Sequence, residues 1–193
     1  MILLLFGLIA FLGLHSLRLV APGWREARIR AWGTGTWKTA YSVLSIASFV
    51  LLLWGYGEAR LDDPRLLWQP PVWTRHLAAT LTLPAFVLVV AAYVPGNHFK
   101  AWLGHPMVAG ITLWALAHLL ANGWLHGVVL FAAFLAWSVV LFAQSRRRDR
   151  AEGVRRSPGR SGPTLLALAI GVAVWALFAF HLHARWIGVA PLG

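Results

Sequence analysis

The chain has 193 residues, 59% hydrophobic and 12% charged, with 12 Trp, no Cys and a formal net charge of +11. Soluble domains carry about 45–50% apolar and about 25% charged residues. This composition, with a mean hydropathy of +0.68, excludes a water-soluble, collagen-like, disordered or disulfide-stapled fold and predicts a single all-α membrane domain over residues 1–193.

The first apolar stretch runs from Ile2 to about Val20, enough at ~1.5 Å per residue to cross a hydrocarbon core of ~30 Å. No basic residue precedes it and no small-x-small cleavage site follows, so a retained helix is expected rather than a secretory signal. Further stretches run from about Thr39 to Gly57, Leu77 to Val94, Met107 to Ala121, Trp124 to Ala143 and Thr164 to His181. Six crossings put both termini on one side.

Lys and Arg near helix ends are retained on the cytoplasmic face. The connections after the first, third and fifth stretches hold 13 of the 17 basic residues. These are Arg18, Arg25, Arg28, Arg30 and Lys38, then Lys100, then the run from Arg146 to Arg160. The opposite side carries Arg60, Arg65, Arg75 and Arg185 together with Glu58, Asp62 and Asp63. Both termini are therefore expected outside, on the periplasmic face of a bacterial inner membrane. Residues 145–163, rich in Arg, Gly, Pro and Ser, read as a flexible cytoplasmic loop that serves topology and attraction to anionic headgroups, and no nucleic-acid partner is expected. Trp24, Trp32, Trp37, Trp68, Trp73, Trp102, Trp124 and Trp186 lie near helix ends, where indoles anchor at the headgroup level. Small residues four apart, Ala117 with Ala121, Ala132 with Ala136 and Ala167 with Gly171, predict close helix packing.

Without cysteine, thiolate ligands, Cys nucleophiles and c-type haem attachment are excluded. All six acids lie outside the expected crossings, which leaves no carboxylate pair for catalysis or proton pumping. No phosphate-binding glycine loop, zinc motif or nucleophile elbow is present. The eight histidines carry the remaining chemistry. His76, His181 and His183 fall at outer helix ends and His98 in an inner loop, where a solvated imidazole is ordinary. His105 precedes Pro106 and suits capping or packing.

His15 and His118 instead lie within apolar stretches, where an ionisable side chain needs a partner. A hydrogen bond to a neighbouring helix would suffice. The alternative is axial ligation of a haem iron by neutral imidazole. Ala115, Ala117 and Ala121 leave room near His118 for a flat ring, and Trp114 and Asn122 lie four residues away along its face. Arg18, three residues past His15, could meet a propionate. In depth the two histidines fall on opposite sides of mid-membrane, so His126 or His76 is an alternative partner for His118, and His105 for His15.

At these residues the chain resembles the NnrU family of integral membrane proteins, over about Phe6 to Gln144. The matching pieces are Leu14-His15-Ser16-Leu17-Arg18, His105-Pro106 with Gly110, and Trp114-Ala115-Leu116-Ala117-His118 ending near Asn122-Gly123. The same domain is similar to the plant and cyanobacterial 15-cis-zeta-carotene isomerase, a haem b enzyme. That resemblance implies haem b held by His15 and His118. It also implies an accessory role in denitrification, as sensor, redox partner or assembly factor around nitrite and nitric oxide metabolism, partnered by a membrane respiratory complex. The alternatives are a haem-dependent cis–trans isomerase of a carotenoid or other lipid-soluble polyene, and a cofactor-free scaffold subunit. Against the isomerase pattern, Ala115 stands where a cysteine is expected and Leu17 where glycine is.

Overall fold

The computed structural model describes residues 1–62 and 64–192; Asp63, one of the acids assigned above to the outer side, lies outside the described residues. The described residues are helical, with no strand beyond an isolated antiparallel bridge between Leu66 and Trp124. The helices are α1 (Ile2–Val20), α2 (Pro22–Asp62), α3 (Trp73–Tyr93), α4 (His98–Leu103), α5 (Pro106–Ala121), α6 (Leu125–Ala151), α7 (Ser161–Leu177) and α8 (His183–Ile187), with a π-helical turn over Phe178–Leu182 between the last two.

Among the described residues, five segments are long and apolar enough to cross a membrane: α1, α2, α3, α6 and the continuous Ser161–Ile187. The remaining expected crossing is α5, whose 16 residues rise ~24 Å, short of a ~30 Å hydrocarbon core. Its ends are set locally. Pro106 begins it after His105, and Asn122 leaves helical geometry at φ −129°, ψ 116°. In each of these five segments at most 28% of the most apolar window is buried within the structure, as expected where lipid rather than water is the outer solvent.

The chain forms two compact units, Met1–Leu67 with Trp124–Ala133, and Trp68–Gly123 with Phe134–Gly193. In the first, α1 and α2 lie antiparallel. A Cβ on Gly7 would fall 2.5 Å from Leu52 Cα, and one on Gly55 would fall 2.5 Å from the Leu3 carbonyl carbon, so both glycines are sites of backbone contact. α2 starts earlier than its apolar pattern. Pro22–Trp32 is already helical, and a break at Gly33 (φ 79°, ψ 158°) divides it from the long apolar portion. Only glycine adopts that conformation at little cost. Trp37 is buried rather than anchoring at an interface, with the Trp24, Trp32 and Tyr41 rings 6.0–6.3 Å away. The other seven tryptophans assigned to helix ends are exposed.

In the second unit α3 packs against α5 and α7. Gly171 of α7 lies against Val87, its absent Cβ position 2.6 Å from Val87 Cα, and Ala167 one turn earlier is fully buried. That small pair therefore packs as its spacing predicts, whereas Ala136 of the Ala132 pair is exposed. Trp175 Nε1 donates to Thr82 Oγ1 (3.1 Å) between the same two helices. Asn97, almost fully buried, joins α3 to α4: its carbonyl accepts from Lys100 N (2.8 Å) and its amide donates to Ala91 O and Val94 O.

The basic connection departs from the flexible loop expected over residues 145–163. α6 continues through Arg150 to Ala151, and the chain that follows is tied down. Arg156 and His105 both bond the Asp149 carboxylate, His105 Nε2 at 2.8 Å. Arg160 N donates to Gly96 O (2.8 Å). The Thr164 hydroxyl donates to Arg160 O and accepts from both N and Nδ1 of His98, at 3.0 and 2.8 Å. The physical reason is that Asp149, nine-tenths buried, provides within an arginine run a carboxylate that Arg156 and His105 share.

Candidate functional site

An imidazole inside an apolar helix must satisfy two ring nitrogens, and a backbone carbonyl can only accept. In the first unit His15 Nδ1 donates to Phe11 O (2.7 Å), one turn back along α1. Nδ1 thus carries the hydrogen and Nε2 the lone pair. Ser45 Oγ lies 3.5 Å from that Nε2, and the rings of Phe11 and Tyr41 flank the imidazole at 4.2 and 5.7 Å. Arg18 is exposed in the last turn of α1, where a cation complements the helix dipole.

His118 in the second unit repeats the local device. Its Nδ1 donates to Trp114 O (2.8 Å) and its ring lies 5.1 Å from the Trp114 indole. Trp114 contacts the Phe134 ring edge-on at 5.5 Å, and Ala115 and Ala117 are fully buried. Asn122 lies differently from its expected place on the His118 face, because α5 ends at Ala121 and Asn122 is its non-helical cap.

The surprise is His183. The outer-end position assigned to it from the sequence is half-buried, and its ring centroid lies 6.4 Å from that of His118, the planes 27° apart. Its Nδ1 donates to Val189 O (2.7 Å), so both imidazoles present Nε2 as the basic nitrogen. Phe178 meets the His183 ring edge-on at 5.8 Å. The spacing of 65 residues between the two histidines gives no signal in the sequence, and the π turn that precedes His183 has none either.

The other histidines sort by environment. His126 of the first unit is 4% exposed, with Tyr56 edge-on at 5.2 Å, and among the described residues its Nδ1 is the buried side-chain nitrogen without a hydrogen-bond partner. His105 serves Asp149 rather than capping α5, since it makes no side-chain cap bond. Asp149 lies beyond the apolar part of α6. Burial alone would raise its pKa, but hydrogen bonds from Arg156 and His105 outweigh that and hold it below the usual carboxylate range.

Among the described residues no three His, Asp or Glu side chains converge as a metal site. The donors available are therefore imidazoles with aromatic surroundings. That set suits an iron whose other ligands come from a macrocycle and does not suit a tetrahedral structural metal.

No curated protein and no solved structure matches the chain. A family model does match, over residues 3–191, and its description is NnrU protein.

Proposed function

The chain belongs to the NnrU family, and on that premise we propose that it is a haem-binding protein of the bacterial inner membrane, accessory to nitrite and nitric oxide metabolism as a sensor, redox partner or assembly factor. The observation that carries the reading is His118. It lies in an apolar helix with Nδ1–H bonded to Trp114 O (2.8 Å), which orients the ring so that Nε2 would be the nitrogen to hold an iron. Haem, when bound, supplies one-electron chemistry and an iron centre for small diatomic ligands. Trp114 and the buried Ala115 and Ala117 would exclude water from the ligand's surroundings.

The proposed topology has six passes and both termini outside. The support is the basic bias of the first, third and fifth connections. α5 completes the sixth pass by local thinning of the bilayer around a short helix.

Purified protein from haem-replete cells should show a Soret band. His118→Ala should remove it and His76→Ala should not. A wild-type protein without the band contradicts the reading.

A further inference from the structure

The connection between α1 and the apolar portion of α2 carries a patch of cations and aromatic rings that haem binding does not use. We propose that the helical segment Pro22–Trp32 lies along the membrane surface and binds the headgroups of anionic phospholipids.

The geometry starts at the Gly33 break. Trp24 and Trp37 are 13 residues apart, and an uninterrupted α-helix would separate their backbones by ~20 Å along its axis. Their ring centroids are instead 6.0 Å apart, and the Arg25 guanidinium lies 6.0 Å from the Trp37 ring. The segment therefore folds back at Gly33 (φ 79°) and lies beside the start of the apolar portion rather than extending its axis. Since α1 and that portion are both long and apolar enough to cross a membrane, a segment folded against the ends that it joins is held at the headgroup level.

The face it presents suits an anionic surface. Trp24, Arg28 and Trp32 recur every four residues, which places them on one side of the helix, and all three are exposed. The Arg28 guanidinium lies 5.7 and 5.9 Å from the two indole centroids. The rings attract the cation through their faces, and its fork of N–H donors matches the paired oxygens of a phosphate. Glu26, the one acid of the segment, pairs with Arg30 (4.0 Å). With Arg25, Arg28, Arg30 and Lys38 against Glu26, residues 22–38 carry a net charge of +3. Each basic residue near the surface favours an anionic headgroup over a zwitterionic one, and exposed indoles beside a basic helix favour the interface over bulk water.

Because the chain has no cysteine, Ala31→Cys at an exposed position accepts a single fluorescent label. The labelled protein is placed in vesicles of equal parts phosphatidylcholine and phosphatidylglycerol, with brominated chains on one lipid or the other. Brominated phosphatidylglycerol should quench roughly two- to fivefold more strongly at low salt, and the excess should fall as salt is added. Arg25→Gln with Arg28→Gln should remove most of the excess. A label at Gly57→Cys, where there is open space, should show no preference between the two lipids. Weak quenching by both lipids at Ala31→Cys would place the segment off the membrane and overturn the proposal. Equal quenching by both would leave the patch to an acidic protein partner and overturn it too, as would a preference unchanged in the double variant. If that variant fails to fold, the salt series on the labelled protein decides, and a preference independent of salt overturns the assignment.

Discussion

At the scale of single residues, His15 and His118 stand out in the sequence because a polar ring surrounded by Leu and Ala must find a partner, whereas the burial of His126 and the bonds of His98 and His105 carry no such signal. The partner itself was illegible. Phe11 O and Trp114 O lie one turn back and follow from helical geometry, but His183 is 65 residues from His118 and meets it only through tertiary packing. His126 shows another residue-scale cost. Its Nδ1 is buried without a partner, a state that costs ~1–3 kcal/mol. His126→Phe keeps the aromatic contact to Tyr56 and removes the orphan, so the thermal midpoint in detergent should rise. A fall of comparable size would show that Nδ1 is satisfied in the native protein.

Among elements, apolar length located five of the six expected crossings as helices long enough to span, since the bilayer imposes that length directly. Ends and breaks were harder to read. Pro22–Trp32 carries Arg and Glu and gives no apolar signal, yet it is helical up to the Gly33 break. The α1–α2 contact depends on Gly7 and Gly55, isolated glycines whose meaning appears only when two backbones meet. Gly55→Ala should lower stability by ~1–3 kcal/mol through overpacking, despite the ~1 kcal/mol that alanine gains in helix propensity. Gly57→Ala, with open space around it, should be neutral or stabilising. Equal effects at the two sites in a thermal melt would refute the close contact.

The Asp149 cluster belongs to the same scale, because it fastens the connection after α6 to the start of α5. Asp149→Asn should cost ~1–3 kcal/mol and speed tryptic cleavage after Arg155 or Arg156. The folded-state pKa is depressed, so the carboxylate's contribution is complete above the unfolded value of about 4 and is lost as pH falls through the lower folded value. The stability difference between wild type and Asp149→Asn should accordingly be constant near neutrality and shrink in acid. A difference that persists unchanged below both values would mean that charge is not what holds the cluster.

For the whole molecule, composition separated a membrane protein from a soluble one, and the asymmetry of basic residues supports an orientation. Alkaline phosphatase fused after Gly193 should be active and the same enzyme inserted after Val154 inactive; the reverse pattern would invert the proposed topology. Family membership covers nearly the whole chain, residues 3–191, whereas the motifs legible by eye ended near Gln144, since the α7 segment is apolar with little besides His181 and His183 to distinguish it. The proposed function rests on whether that helical body carries an iron porphyrin. The haem content of the purified protein, measured as the pyridine haemochrome per chain, tests this most directly. About one haem per wild-type chain, falling to near zero in His118→Ala, is the expected result. Wild-type protein purified from haem-replete cells with a content near zero would contradict it.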